Sequence, residues 1–265
     1  MKIVALLTVR NEENYMRRCL QHLVAQGIDV CVIDNESTDR TLSIAQEFYG
    51  NGVFQIEILP YSGFYDWFKI LGFKQELANE IAADWFIHHD ADEIREAPGV
   101  YSNLFSGIKA MDHAGYNAIN FEEFVFVPTT EDRGFEGTDF VQSMRYYYFY
   151  EPAKQHRVNA WKNLGQIVDL KASGGHSVSF DGRSVAPVNF VLRHYVLLSR
   201  EHAIRKYGKR KYSKAEIDLG LHQRRAAFDS ANFCLPNRTE LKCIDFDGEW
   251  DCSEPWELSP SIRTM

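Results

Sequence analysis

The first ninety residues alternate between strand-like and helix-like segments, and this alternation constrains the fold more than any other feature. Residues 2–9, 28–33 and 53–59 are short apolar runs typical of buried strands, and segments with helical spacing of apolar residues separate them. A fourth run, residues 85–89, follows the third helical segment. Strands joined by helices form a parallel sheet with right-handed crossovers, because parallel neighbours need a long connection. The sequence therefore predicts a doubly wound α/β sheet.

The pattern changes after residue 95. Residues 116–126, 144–150, 177–180 and 189–194 are predicted as strands with hairpins and longer loops between them, which indicates a mixed sheet. Residues 199–228 have a helical and basic pattern, and the chain then becomes irregular. We therefore expect an α/β fold, a Rossmann-like mixed sheet flanked by helices, with a C-terminal helical and irregular extension.

Composition excludes several classes of protein. The chain has 265 residues, of which 45% are hydrophobic, which is enough for a sizeable core. No apolar run approaches the roughly 20 residues of a membrane-spanning helix, and the first residues lack the pattern of a signal peptide. The five cysteines lack CxxC spacing and are odd in number, which favours reduced thiols in a cytoplasmic protein. The formal net charge of −8 argues against nucleic-acid binding.

The charge is unevenly distributed along the chain. Residues 200–225 hold nine Lys and Arg against three acids, whereas residues 239–265 hold seven acids against two basic residues. The basic segment could meet phosphates or an anionic membrane surface, which would place the protein peripherally at the inner membrane face. It could equally form a solvated helix with salt bridges to the acidic tail.

Polar residues follow three of the four predicted parallel strands. They are Thr8-Val9-Arg10-Asn11-Glu12, residues 34–39, and Asp90-Ala91-Asp92-Glu93. Open α/β sheets bind ligands in the crevice at the carboxyl ends of their strands, so we expect these groups to line one crevice. Carboxylate oxygens suit Mg²⁺ or Mn²⁺, and such an ion usually holds substrate phosphates. The chain contains neither GxGxxG after the first strand nor GxxxxGK[ST], which disfavours a dinucleotide fold and a P-loop NTPase.

These three stretches, in this order and spacing, resemble family 2 glycosyltransferases, which have the GT-A fold. The matching segments are residues 8–13, 32–41 and 84–93. The resemblance implies a domain at 1–198, with a nucleotide-binding half at 1–95 and an acceptor half at 96–198. Residues 199–265 would then be a basic helical segment followed by an acidic tail.

The resemblance also implies roles for individual residues. Thr8, Arg10 and Glu12 would line the nucleotide pocket, and Asp34 would meet the base or ribose. Lys74 would place its ammonium near the donor diphosphate. In the acidic motif, Asp90 would contact the ribose, or would contact the metal through water. Asp92 would bind the metal directly. Simpler roles also fit some of these: Asp34 as a turn residue, Lys74 as a solvated lysine, and Glu12 as a first-turn helix acid.

A metal held by one carboxylate and a diphosphate usually needs another protein ligand. His194 is the favoured candidate because it ends an apolar strand and because His194-Tyr195 resembles a His-Tyr pair of related transferases. His176 is the alternative. Transfer with inversion also needs a carboxylate base. Glu122 and Glu123 are the nearest acids, and since neighbouring strand residues face opposite sides, only one of them can face the crevice.

The sequence therefore predicts a glycosyltransferase that depends on Mn²⁺ or Mg²⁺. It would move a sugar from a nucleoside-diphosphate donor of the UDP or GDP type to a saccharide or glycolipid hydroxyl, with inversion, as in surface polysaccharide synthesis. Two alternatives stay open. A nucleotidyltransferase is disfavoured because no Gly-rich basic loop follows the first strand, and a non-catalytic binding module would keep the fold without the chemistry.

Overall fold

The computed structural model of the protein describes residues 1–244 and 249–257. Strands and helices alternate through the first half of the chain: β1 (Ile3–Val9), α1 (Glu13–Ala25), β2 (Asp29–Asp34), α2 (Thr41–Glu47), β3 (Val53–Ile58), α3 (Trp67–Glu80), β4 (Trp85–Asp90), β5 (Glu93–Glu96) and α4 (Leu104–His113). The second half has longer connections and shorter elements: β6 (Ala118–Phe126), α5 (Phe140–Ser143), β7 (Tyr146–Tyr150), β8 (Val158–Lys162), β9 (Phe190–His194), α6 (Arg200–Tyr207), α7 (Lys214–Asp218), α8 (Gln223–Ala226), a 3₁₀ turn (Arg238–Glu240) and β10 (Lys242–Cys243).

Two compact units make up the chain. The first comprises residues 1–61, 67–122 and 155–192, and the second comprises residues 62–66, 123–154 and 193–265. The predicted boundaries at residues 95 and 198 remain predictions.

The sheet of the first unit confirms the predicted mixed α/β fold. Its strands follow the order β3-β2-β1-β4-β8-β6, and β5 pairs with β9, which also pairs with β6. Strands β1, β2, β3 and β4 are parallel to one another, and β8 runs antiparallel to β4 and β6. The residues of β1 and β4 are almost entirely buried, in keeping with the apolar sequence of β1 and the Trp85-Phe86-Ile87 run of β4. The carboxyl ends of β1, β2 and β4 therefore meet at one edge of the sheet.

The second unit is built around aromatic residues of β6 and β7. The register of these antiparallel strands pairs Phe124 with Phe149 and Val125 with Tyr148. Phe126 stacks on Tyr195 with their ring centroids 4.8 Å apart. The abundance of aromatic residues in the sequence therefore reflects core packing in this unit.

One predicted strand is corrected by the structure. Residues 177–180 do not form a strand, because the segment makes only one isolated bridge, between Asp169 and Ser179. Residues 199–228, predicted as helical, form three short helices, since Gly208 ends α6 and Ser213 caps a new helix. In the described ranges, no helix combines the length and the apolar character needed to cross a membrane.

Candidate functional site

Thr8 and Asp34 lie at the carboxyl ends of two neighbouring parallel strands, where Val9 pairs with Asp34. The Asp34 side chain is buried, and its Oδ2 accepts a hydrogen bond from the Ser37 backbone N–H at 2.9 Å. Within the part of the chain that the structure describes, Asp34 Oδ1 and Thr8 Oγ1 are buried and have no hydrogen-bond partner. A buried polar atom without a partner is costly, so these two atoms indicate where a ligand can complete the hydrogen bonding.

Arg10 connects the ends of three strands. Its Nη1 donates hydrogen bonds to the backbone oxygens of Asn35 and Glu36, and its guanidinium lies 3.5 Å from the centroid of the Tyr61 ring. Arg10, which is predicted to line the nucleotide pocket, thus orders the loops that surround Asp34. Glu12 directly precedes α1, and its side chain makes no capping hydrogen bond to that helix.

Lys74 and Asp90 form an ion pair at the same edge of the sheet. The Lys74 side chain is 0% exposed, and its Nζ donates to the backbone oxygen of His89 at 3.0 Å. Nζ also lies 3.2 Å from His88 Nδ1 and 3.8 Å from Asp90 Oδ1. Burial lowers the pKa of Lys74 to about 8, although the carboxylate of Asp90 opposes this shift. The lysine is therefore not the solvated helical residue that the sequence left open.

The acidic motif forms a two-residue turn between β4 and β5. Ala91 and Asp92 make the turn, Asp92 is 9% exposed, and the Asp90 side chain is 35% exposed. Among residues 1–244 and 249–257, no group of three or more His, Cys, Asp or Glu is arranged to hold a metal ion. A pair of carboxylates nevertheless fits Mg²⁺ or Mn²⁺, because such ions often bind one or two carboxylates and take their other ligands from phosphates and water. The donor set present here is therefore compatible with the expected metal.

A buried pair, Glu93 and Arg95, directly follows this turn, and sequence analysis did not predict it. Arg95 Nη2 donates to Glu93 Oε2 at 2.7 Å and to Asn159 Oδ1 at 3.2 Å. Arg95 Nε donates to His89 Nδ1 at 3.2 Å, and burial keeps the pKa of His89 well below its usual value. Alternating charges in Glu93-Ile94-Arg95 are typical of an exposed strand, so only tertiary packing reveals that both side chains are buried.

The two candidate bases have different partners. Glu122 Oε1 accepts a hydrogen bond from Asn189 Nδ2 at 3.0 Å, within the first unit. Glu123 belongs to the second unit and is 1% exposed, with its Oε1 at 2.6 Å from Nδ1 of His194, the favoured second metal ligand. The structure thus brings together two residues to which the sequence assigned separate roles.

The alternative metal ligand, His176, lies in the first unit. Its ring is exposed, and its Nδ1 lies 2.9 Å from Nη1 of the buried Arg157. Because a guanidinium can only donate, Nδ1 of His176 is the acceptor and this nitrogen carries no proton. A metal could therefore reach this residue only through Nε2 while the contact with Arg157 is kept.

The basic segment of the second unit divides into paired and exposed residues. Arg205 Nη2 pairs with Glu136 Oε1 at 2.9 Å, and the guanidinium of Arg210 lies 4.9 Å from the centroid of the Tyr65 ring. Exposed side chains occur at Lys209 and Lys211. Contact of this segment with phosphates or membranes remains a prediction.

The sequence and the structure of the chain were compared with those of known proteins. The family model "Glycosyl transferase family 2" matches residues 5–60, and no curated protein matches the chain. Among solved structures, S. aureus TarS is 14% identical with a TM-score of 0.44, and the match covers 88% of this chain and 45% of that one. Residues 1–349 of S. aureus TarS in complex with UDP-GlcNAc give 14% identity, a TM-score of 0.45, and coverage of 88% and 74%.

A further similar structure is glucosyl-3-phosphoglycerate synthase from Mycobacterium tuberculosis, in complex with Mn²⁺, UDP and glucosyl-3-phosphoglycerate. It is 18% identical with a TM-score of 0.29, and the match covers 47% of this chain and 44% of that one. The chain thus spans less than half the length of two of these three proteins. The match to the family 2 glycosyl transferase model falls on β1, β2, β3 and the helices between them, and it ends before the acidic turn.

Proposed function

We propose that the protein is a GT-A glycosyltransferase that moves a sugar from a nucleoside-diphosphate donor to a hydroxyl acceptor in the presence of Mn²⁺ or Mg²⁺. The observation that carries this proposal is the edge of the parallel sheet. There, among the residues that the structure describes, the buried atoms Thr8 Oγ1 and Asp34 Oδ1 have no hydrogen-bond partner. Thr8 of β1 pairs with the partly exposed Asp90 of β4, and Asp34 ends β2 on the other side of β1. The match of residues 5–60 to the family 2 glycosyl transferase model supports it independently.

The donor nucleotide would occupy the ends of β1 and β2. Asp34 Oδ1 is a carboxylate acceptor that suits a ribose hydroxyl or a base N–H, and Thr8 Oγ1 can donate or accept. Arg10 holds the β2 loop through its two backbone contacts and so keeps Asp34 in place. Glu12 lies in the connection between β1 and α1, directly before α1, and would line the same pocket.

The diphosphate would lie over the acidic turn. Asp92 and Asp90 would hold the metal, directly and through water respectively. A divalent ion bound there would act as a Lewis acid that stabilises the leaving diphosphate. Lys74 would contribute positive charge from beneath the turn, since its ammonium lies 3.8 Å from Asp90 Oδ1 and is shielded from water. His194 remains the proposed second protein ligand, and it would use Nε2 because Glu123 occupies Nδ1.

The attacking hydroxyl needs a general base. Glu123 already serves His194, so Glu122, whose side chain is partly exposed, is the better candidate of the two. Because neighbouring strand residues face opposite sides, Glu122 as the base and His194 as a metal ligand are alternatives within this proposal. A base on the face of the sugar opposite the diphosphate would give inversion. The acceptor would be a saccharide or glycolipid, and the basic segment at 200–225 would help to bring the protein to an anionic surface.

A thermal-shift panel tests the proposal. UDP, GDP, CDP and dTDP are each added with and without Mn²⁺, since a ligand that binds only the folded state raises Tm by mass action. We expect one nucleotide to raise Tm only when Mn²⁺ is present, and the corresponding nucleotide sugar to be hydrolysed slowly. Binding without hydrolysis or transfer would indicate a non-catalytic module, and the absence of any shift would contradict the proposed nucleotide site.

A further inference from the structure

The acidic turn is held from behind by a buried carboxylate. Glu93 Oε2 accepts a hydrogen bond from the Asp90 backbone N–H at 3.1 Å. The side chain of the residue after the turn therefore bonds to the backbone of the residue before it. Both Glu93 and Asp90 flank the two turn residues Ala91 and Asp92. The position of the Asp92 carboxylate is therefore coupled to the position of the Glu93 side chain.

Arg95 holds the Glu93 side chain in place. The guanidinium is 0% exposed and reaches three groups: Glu93 Oε2, His89 Nδ1 on β4 and Asn159 Oδ1 on β8. Its plane lies 4.4 Å from the centroid of the Phe121 ring. The Arg95 backbone oxygen accepts from His22 Nε2 of α1 at 2.8 Å. Arg95 is thus anchored to β4, to β8 and to α1.

Stability alone does not explain this arrangement. Burying a carboxylate and a guanidinium removes both from water, and such pairs are often no better than apolar residues of similar size. In the described part of the chain, Arg95 Nη1 is also buried without a hydrogen-bond partner, which adds to the cost. Buried residues that hydrogen-bond to metal ligands or to their backbone usually serve to orient those ligands.

We infer that Glu93 and Arg95 are positioning residues, a clamp that holds the Asp90–Asp92 turn in the geometry needed to bind a divalent cation with a nucleoside diphosphate. This inference rests on the proposed function for its ligand. The clamp itself acts through Asp90 and touches neither the cation nor the nucleotide.

The double substitution Glu93→Leu/Arg95→Met tests the clamp without leaving an unpaired buried charge. The two apolar side chains have similar volumes to those they replace, so the variant should fold. We expect the dissociation constant for Mn²⁺ in the presence of the nucleoside diphosphate to rise about tenfold, as measured by electron paramagnetic resonance of free Mn²⁺. A matched control, Glu80→Leu/Lys109→Met, replaces one acidic and one basic side chain by the same two apolar residues at exposed helix positions and should bind like the wild type.

A second readout needs no ligand. The Asp90 amide, which donates to Glu93, should exchange its hydrogen at least about tenfold faster in Glu93→Leu/Arg95→Met than in the wild type, while amides in the middle of β1 are unchanged. A folded double variant with wild-type Mn²⁺ affinity and wild-type Asp90 exchange would overturn the clamp. If the wild type binds no Mn²⁺ with any nucleotide, the proposed function fails, and the exchange rate of Asp90 alone then decides whether the turn is clamped.

Discussion

Two pairs of ionisable groups, one in each unit, differ in their separation and in their exposure to solvent. Asp90 and Lys74 of the first unit stay 3.8 Å apart, and the Asp90 side chain is 35% exposed. Glu123 and His194 of the second unit lie 2.6 Å apart and are almost inaccessible. The first pair lies near the buried atoms of Thr8 and Asp34 that have no partner in the described residues. The comparison teaches that a pair of ionisable groups does not by itself indicate a ligand site, whereas buried polar atoms with spare bonding capacity beside such a pair do.

The strongest test of this contrast is Asp92→Asn. The amide keeps the size of the side chain but loses the charge that a divalent cation needs, so transfer should fall by about 1000-fold. Donor turnover with Mn²⁺ measures the effect, and circular dichroism should show an intact fold. Asp181→Asn, an exposed position, is the matched control. An active Asp92→Asn enzyme would refute the metal site.

The second test concerns the satisfied pair. Glu123→Ala removes one partner of a buried contact and should lower the free energy of unfolding by about 3 kcal/mol, whereas Glu123→Gln keeps an acceptor for His194 and should cost about 1 kcal/mol. Urea denaturation compares the two variants. Equal losses would show that the hydrogen bond to His194 Nδ1 contributes nothing to stability.

The variant His194→Gln tests the proposed role of His194 as a metal ligand. A wild-type Mn²⁺ affinity in a folded His194→Gln protein would remove His194 from the proposed ligands.

The third test uses the depressed pKa of Lys74, about 8. Below about pH 8 the lysine is protonated in both the folded and the unfolded chain, and burial of the charge is a constant cost. Between about pH 8 and pH 10.5 the unfolded chain still binds the proton that the folded protein has lost, so the free energy of unfolding should rise with pH. The increase in the free energy of unfolding that Lys74 contributes is at most about 3 kcal/mol.

Lys74→Met isolates that contribution. Urea denaturation of the wild type and the variant from about pH 7 to pH 10 should show a steeper increase in stability for the wild type. Parallel curves would mean that Lys74 has its usual pKa and that the ammonium is hydrated, which would weaken the distinction between the two charged pairs.

The smallest expected effect belongs to Asp34→Asn. An amide can still accept from Ser37, but it places a donor where Asp34 Oδ1 now offers an acceptor, so nucleotide affinity should fall about tenfold, or about 1.4 kcal/mol. Calorimetric titration measures this change. Asp39→Asn is a useful contrast, because both oxygens of Asp39 already accept backbone N–H groups of Thr41 and Glu13. It should lower stability and leave nucleotide affinity unchanged.

Much of the first half of the fold could be predicted from the residues alone. The strands β1, β2, β3 and β4 begin and end within one or two residues of the predicted positions, because short apolar runs bounded by glycine, proline or charged residues mark the ends of strands. Prediction failed where the pattern is weaker. Strands β5 and β8 and helix α4 were not predicted, since short elements in mixed sheets lack a distinctive period.

The sequence by itself determined the parallel sheet and the place of its polar strand ends, because hydrophobic periodicity and strand order follow from local pattern and chain connectivity. Only the tertiary structure decided which charged residues are buried and with whom. Arg95 with Asn159 and Glu123 with His194 are joined across strands that the pattern of single segments cannot pair. Burial and hydrogen bonding depend on neighbours far apart in the chain, and those neighbours exist only once the sheet has formed.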